Sequence, residues 1–253
     1  MKISIITITL NSAQTITDCI ASVNNQTYKD IEHIIVDGGS EDNTVKLIRS
    51  LPNRVKNLVS EPDKGIYDAM NKGILRAAGD IIGILNSDDF YASDHILEHV
   101  ACAFAETGCD SLYGNLNYVS AINTQKVIRY WKSSRFVPGS FAKGWHPPHP
   151  TFFVRREIYQ KYGFFDTSLQ VSADFELMLR LLEKIKISSF YLDEVIVNMR
   201  MGGESSGSLA NILKGNKNVL KAFKKNKIPV SPFYLFLRFA PKIREFFSHP
   251  PTD

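Results

Sequence analysis

The stretch Gly79-Asp80-Ile81-Ile82-Gly83-Ile84-Leu85-Asn86-Ser87-Asp88-Asp89 decides the fold. Its centre is dense in Ile and Leu, as expected of a strand buried on both faces of a parallel sheet. Two adjacent carboxylates at the exit of such a strand have no structural use. Like charges so close raise one another's pKa unless a cation or a donor compensates them. A hard divalent cation shared with nucleotide phosphates supplies that compensation. A second apolar run, Ile31-Glu32-His33-Ile34-Ile35-Val36, ends on another acid, Asp37, followed by Gly38-Gly39-Ser40. Acids gathered at the exits of parallel strands point to a nucleotide-diphosphate site.

Outward from these runs, apolar strand-like segments alternate with segments of helical period up to about residue 119. Ile3 to Leu10 precedes Ile16, Ile20 and Val23; Ile31 to Val36 precedes Val45, Leu47, Ile48 and Leu51; Val55 to Val59 precedes Ile66, Ala69, Met70, Gly73, Ile74 and Ala77. Ile81 to Leu85 precedes Ile96, Leu97, Val100, Ala103 and Phe104. This rhythm predicts an α/β fold, a parallel sheet covered by helices on both faces. Beyond it, Leu112 to Val119 and Lys126 to Trp131 read as strands of a mixed or antiparallel region. His146-Pro147-Pro148-His149-Pro150 reads as a stiff extended loop, because proline excludes helix at and before its own position. Thr151 to Val154 reads as a strand, Ala173 to Glu183 as a helix, and Ile187 to Tyr191 and Val195 to Met199 as two short strands. Gly202-Gly203-Glu204-Ser205-Ser206-Gly207 ends the body. The expected division is 1–207 for the body, with halves 1–119 and 120–207, and 208–253 for a helical tail. In the tail Ser231-Pro232 is a helix start, and Pro241 interrupts a face of Phe236, Phe239, Ile243, Phe246 and Phe247.

The 253 residues, 44% of them hydrophobic, suffice for one sizeable domain and an appendage. The net charge of +4 divides unevenly: from Ser208 onward nine Lys or Arg face two acids, so the body carries −3. Such a tail suits an anionic surface; nothing in the pattern calls for nucleic acid. Cys19, Cys102 and Cys109 lack metal-ligand spacing, and Cys19 and Cys102 read as buried thiols on helix faces. The absence of a disulfide framework favours a reducing, cytoplasmic location. The apolar start, Met1 to Leu10, is too short and too threonine-rich for a signal peptide and reads as a first strand. No run is long enough to span a membrane.

The first strand-to-helix turn, Leu10-Asn11-Ser12-Ala13, carries neither G-x-G-x-x-G nor G-x-x-x-x-G-K-[ST], which argues against a dinucleotide oxidoreductase or a P-loop enzyme. Ser4 to Asn11, Val36-Asp37-Gly38-Gly39-Ser40-Glu41-Asp42-Asn43-Thr44, and Glu61-Pro62-Asp63-Lys64-Gly65 through Gly73 occur in order. Gly79-Asp80 through Asp89, His149 with Phe152 to Arg156, Gly163 to Asp166, and Asp174 to Leu181 follow. Together, over residues 3 to 207, they resemble the family 2 glycosyltransferases. That resemblance implies a GT-A fold: a mixed, mostly parallel sheet with a Rossmann-like nucleotide-binding half.

It also implies roles. Asp37 would contact the nucleobase and Asp88 the ribose of a nucleoside-diphosphate sugar, with Thr9, Asn11, Asp63 and Lys64 in the same nucleotide-sugar site. Asp89 would bind Mg²⁺ or Mn²⁺, and Asp174 would be the general base of an inverting transfer. His149, Arg155 and Arg200 would contact acceptor or diphosphate. The chain departs from the family pattern at Ile8, where many relatives have Pro, at Asn86, where they often have Asp, and at Ala173, where Glu is common. Neither a Q-x-x-R-W motif nor membrane-spanning helices accompany the domain, so the resemblance implies addition of a single sugar. The acceptor would be a glycan or polyprenyl-linked glycolipid of a surface-polysaccharide pathway, met on the inner face of the membrane.

Plainer roles stand beside these. Asp37 also suits a turn, one of Asp88 and Asp89 suits a helix cap, and Asp174 suits the dipole of its helix. The tail either packs its aromatics on the body or lies in a membrane interface. Two other functions remain open, a sugar-1-phosphate nucleotidyltransferase and a non-catalytic nucleotide-sugar-binding protein.

Overall fold

The computed structural model describes residues 1–202 and 209–235. The apolar runs form strands β1 (Ile3–Thr9), β2 (Ile31–Asp37), β3 (Val55–Ser60) and β4 (Ile81–Ile84), joined by helices α1 (Ile16–Asn24), α2 (Thr44–Ser50) and α3 (Ile66–Arg76). After the acid pair come β5 (Phe90–Tyr91), α4 (Ile96–Thr107), β6 (Ser111–Val119) and β7 (Val127–Trp131). Then follow β8 (Phe153–Arg155), α5 (Arg156–Tyr162), α6 (Ala173–Met178), β9 (Ser189–Arg200) and α7 (Leu209–Asn226). One nine-stranded sheet runs β3-β2-β1-β4-β8-β6-β9-β5, with β7 paired to β6. β1, β2, β3 and β4 are parallel, as expected, whereas β8 is antiparallel to both β4 and β6. The chain leaves β1 toward β2 on one side and returns as β4 on the other. A crevice therefore opens at the carboxyl ends of β1 and β4, the place where such sheets bind ligands.

Alternation along the strands sorts the core. Ile6, Ile8, Ile34 and Val36 share one cluster with Ala69, Met70 and Ile74 of α3, while Ile3, Ile5 and Ile31 join Cys19 and Val23 of α1 and the apolar face of α4 on the other side. α3 lies so close to β1 that a Cβ on Gly73 would stand 2.3 Å from Ile6 Cγ2. Ile6 is itself fully buried and cannot yield. Gly73→Val is therefore expected to overpack this contact and lower the unfolding free energy by about 2–3 kcal/mol, read as a reduced midpoint in urea denaturation with an unchanged slope.

Several expectations change. The segment 187–199 is not two strands but the single β9, which absorbs its irregularity as register shifts against β6 between Tyr113 and Leu116. The proline-rich loop is not wholly extended: His149–Thr151 forms a 3₁₀ turn with Pro150 in its first turn, where no amide is needed. The helix beginning at Ala173 continues beyond Met178 as a π-helical stretch, Leu179–Ile185. Cys102 is exposed, because it lies about 200° around α4 from buried Val100. Cys19 is buried.

Helix α7 belongs to the body's packing. Val219, Ala222, Phe223 and Tyr234 are fully buried in one cluster with Leu177, Met178 and Leu181. Ser231 acts as expected at its turn, accepting the Phe233 amide at its hydroxyl (3.1 Å) and the Tyr234 amide at its carbonyl (2.9 Å). The glycine loop beyond Gly202 and the aromatic face from Phe236 to Phe247, with Pro241, lie outside the described residues. No helix among the described residues is long and apolar enough to cross a membrane.

Candidate active site

The expected acids do converge at the crevice, but in different states. Asp37, at the end of β2, is fully buried and its carboxylate is consumed by its own loop. Oδ2 accepts the Gly39 amide (3.2 Å), the Ser40 amide (3.0 Å) and the Ser60 hydroxyl (2.6 Å), and Oδ1 accepts the Ser40 hydroxyl. This is the turn-organising role of an Asp at a strand exit. Ser40 Oγ in turn accepts the amide of Asn11 (2.7 Å), whose backbone is left-handed, and Asn11 Oδ1 accepts the Glu41 amide (2.9 Å). Ser12 continues the chain of contacts to Ser87, hydroxyl to hydroxyl at 2.8 Å. The loops after β1, β2 and β4 are thus bound into one rim.

Asp63 completes that rim. Its Oδ1 accepts the Gly65 amide (2.7 Å), which orients the carboxylate at the start of α3. Its Oδ2 occupies the space beside Gly38 that a Cβ would need, 2.5 Å from that position. The missing side chain of Gly38 is what lets an acid stand next to the Asp37 loop. Thr9 is buried, with a hydroxyl that has no partner among the described residues. Lys64 is exposed and borders a hollow of about 170 Å³ that Tyr67, Thr167 and Gln170 also line.

Asp88 and Asp89 sit between β4 and β5, where the chain crosses from one part of the sheet to another. Asp89 is fully buried. Burial first, and then the neighbouring Asp88, push its carboxyl well above the ordinary range, against the opposing pull of Arg200 and Asn86. Its Oδ1 has no hydrogen-bond partner among the described residues, and neither does Asn86 Oδ1. Asp88 is half-buried and is also raised by burial, with Arg200 and His149 pulling the other way. The resemblance assigns the cation to Asp89; of the two acids, Asp88 is the more exposed to solvent. Arg200, from the end of β9, donates to the Asp88 carbonyl (2.6 Å), pairs with Asp18 of α1, and is only 6% exposed. It is a fixed clamp behind the acid loop.

Asp174 is the second residue of α6, and the same His149 that acts on Asp88 acts on it too. The Tyr67 hydroxyl donates to its Oδ1 (2.9 Å), and His149 Nδ1 lies 3.2 Å from its Oδ2. Burial raises the Asp174 carboxyl, but His149, the Tyr67 hydroxyl and the Phe175 amide outweigh it, and the net shift is downward. Two residues on, fully buried Glu176 accepts from Arg180 Nε (3.1 Å) and Asn226 Nδ2 (3.0 Å), which ties α6 to the end of α7. Phe165 stacks on Tyr67 at 5.6 Å between centroids and holds the phenol toward Asp174.

Arg155 is not brought here. It pairs with Ile81 at the opening of β4, the opposite end from Asp88, and its Nε donates to the Cys109 carbonyl (2.7 Å). β8 runs antiparallel to β4, and that reversal carries the arginine away. Tyr67 was missed because helical periodicity registers its ring as core, while only the fold shows where its hydroxyl points.

The carboxylates should therefore titrate in opposite senses. Asp174 contributes stability that is present above the unfolded value of about 3.9 and is lost as pH falls through its lower folded value. Asp88 and Asp89 impose a cost at neutral pH, which disappears as pH falls through their raised values. Carboxyl ¹³C NMR without added metal is expected to show Asp174 ionised where Asp88 and Asp89 are already protonating. The reverse order would contradict this electrostatic picture.

Among the described residues no cluster of three His, Cys, Asp or Glu could hold a metal unaided. The orphaned Asp89 Oδ1 and the half-buried Asp88 carboxylate, which its own backbone amide meets, fit a hard cation that would draw its remaining oxygens from a bound diphosphate.

Comparison with known proteins gives the family. Residues 4–167 match the model of the family described as "Glycosyl transferase family 2", and the chain belongs to that family. An uncharacterized glycosyltransferase of Mycobacterium tuberculosis is 30% identical over 70% of this chain and 68% of its own length. A PGL/p-HBAD biosynthesis glycosyltransferase of Mycobacterium bovis is 26% identical over 82% of this chain and 80% of its own. Among solved structures, TarS 1-349 of S. aureus in complex with UDP-GlcNAc superposes with a TM-score of 0.66 at 18% identity, over 89% of this chain and 65% of that one. The mannosyltransferase PcManGT of Pyrobaculum calidifontis, in complex with GDP-Man and Mn²⁺, gives 0.65 at 20% identity, over 94% and 69%. The chain spans 43% of the longer TarS chain. These likenesses establish the glycosyltransferase fold, the GT-A arrangement expected from the sequence.

Proposed function

We propose that this chain is a metal-dependent, inverting glycosyltransferase that moves one sugar from a nucleoside-diphosphate sugar to an acceptor hydroxyl. The observation that carries the reading is Asp174. It is a carboxylate held from two sides by Tyr67 and His149 and kept below its ordinary range, and His149 acts on Asp88 of the acid pair as well.

The nucleoside end lies on the rim after β1–β3. Asp37 is committed to its loop, so Asp63 Oδ2 beside Gly38 is the acceptor for a base N–H, with Thr9 and Asn11 in the same rim. Lys64 stands at the edge of this rim. The diphosphate lies toward Asp88, and Asp88 and Asp89 together hold Mn²⁺ or Mg²⁺. A divalent cation bound there supplies positive charge to the leaving diphosphate. Asp174 removes the acceptor proton as the oxygen attacks the anomeric carbon, and a single displacement inverts that centre. His149, beside both Asp174 and Asp88, keeps the base ionised and oriented.

The neighbours crystallised with UDP-GlcNAc and with GDP-Man and Mn²⁺ support the donor class and the cation. The relative named for PGL/p-HBAD biosynthesis supports a biosynthetic transfer, and the acceptor is a glycan or polyprenyl-linked glycolipid of a surface-polysaccharide pathway. Titration calorimetry with a panel of UDP-, GDP- and dTDP-sugars, with Mn²⁺ or EDTA, tests the reading. Selective binding that needs the cation is expected. Binding of none of them by a folded sample would overturn it.

A further inference from the structure

Helix α7 has a buried face and an outer face of unusual make-up. Gly215, Asn218, Val219, Ala222, Phe223 and Asn226 turn inward. On the outside, Leu213 is 70% and Leu220 38% exposed. At 3.6 residues per turn, Leu213, Lys217, Leu220 and Lys224 fall within an arc of about 60°. Lys214 and Lys221 flank them on one side. From Leu209 to Lys227 the sequence holds six lysines and no acid. Lys225 is paired with Asp166 (2.6 Å) and Lys214 reaches Gln170, but Lys217, Lys221 and Lys224 form no ion pair with the described residues.

We propose that the outer face of α7 docks the protein on an anionic lipid surface. Exposed leucines flanked by lysines match the headgroup layer of a bilayer, where apolar side chains enter the acyl boundary and ammonium groups meet lipid phosphate. A second copy of the chain is a poor occupant, because two such faces would repel. Nucleic acid is disfavoured too: the helix exposes no aromatic ring for stacking, Phe223 being buried, and leucine gains little from a phosphate backbone.

The position of the face matters. Asn218 Nδ2 donates to the Val171 carbonyl (2.9 Å), and Ser172 Oγ contacts the Gly215 carbonyl (3.5 Å). α7 is therefore fastened to the residues just before Asp174, so a lipid surface on its outer face lies beside the acceptor side of the crevice. This inference goes beyond the transfer chemistry and does not require it.

Flotation of the full chain with phosphatidylcholine vesicles, with and without phosphatidylglycerol, tests the proposal. Binding is expected only to the anionic vesicles and should weaken with added salt. K217E/K221E/K224E is expected to reduce it by at least about tenfold, and L213S to reduce it while leaving the salt dependence in place. K217Q/K221Q/K224Q, which adds no new charge, should show the same loss if charge reversal impairs folding. Melting temperature and nucleoside-diphosphate binding, measured on the same samples, should not change, which separates a failed docking surface from a failed donor site. Equal binding to both vesicle types, full binding by the lysine variants, or binding to duplex DNA in place of vesicles would overturn the proposal.

Discussion

Asp174→Asn is expected to lower kcat by about 10²–10⁴-fold while leaving donor affinity unchanged. The amide is nearly isosteric, and its oxygen can still accept from the Tyr67 hydroxyl that now reaches Oδ1 at 2.9 Å. What it cannot do is take a proton. The corresponding loss of transition-state stabilisation is about 3–5 kcal/mol. Asp174 lies across the crevice from the nucleoside rim, so calorimetric binding of the donor should be preserved. Because the carboxyl is held below its ordinary range, the acid limb of the wild-type kcat profile should lie below the ordinary carboxylate range if this group sets it. Parallel loss of donor binding and turnover in the variant would instead make Asp174 a structural residue of α6.

Asp88→Ala is expected to abolish cation-dependent nucleotide stabilisation. The half-buried Asp88 carboxylate has its own backbone amide as a donor and adds repulsion to buried Asp89. Its removal should leave the melting temperature of the ligand-free protein unchanged or slightly raised. Loss of a direct ligand costs at least the roughly 100-fold that outer-shell changes reach. At a nucleotide concentration of about 100 Kd the wild type gains about 2.7 kcal/mol, equivalent to about 5–11 °C for a domain of this size. A hundredfold weaker complex gains less than about 0.5 kcal/mol under the same conditions, a shift of roughly 1 °C. The comparison is made by thermal shift with nucleoside diphosphate and Mn²⁺, against EDTA. A wild-type response in Asp88→Ala, with loss in Asp89→Asn, would return the cation to Asp89 alone.

The parallel half of the fold was legible because each strand and helix there carries its period without interruption. Ile3–Thr9, Ile31–Asp37 and Ile81–Ile84 are isoleucine-rich runs that lead into turn chemistry. Placing the acids at strand exits needed nothing more, since parallel strands gather their carboxyl ends on one edge. Legibility faded where partners are distant. That Arg155 points toward Cys109, away from the crevice, follows from β8 running antiparallel to β4, a pairing between residues 72 apart or more that no local pattern reveals. Tyr67 and Asp174 are 107 residues apart, and their hydrogen bond depends on the packing of α3 against α6. That α7 packs into the body was hidden because lysines stand out in its composition, while apolar residues that anchor it, Val219, Ala222 and Phe223, are spaced over a single turn. Asp37 and Asp88 looked alike in sequence. Only the count of donors around each separates a carboxylate that builds a loop from one left open to a ligand.

The most direct measurement follows release of nucleoside diphosphate from the donor selected by binding, in the presence of Mn²⁺, for the wild type and Asp174→Asn. Turnover in the wild type, by hydrolysis or by transfer to an added acceptor, with near-complete loss in the variant that still binds donor, is the predicted result. Donor binding without turnover under any acceptor condition, or turnover indifferent to Asp174, would contradict the account.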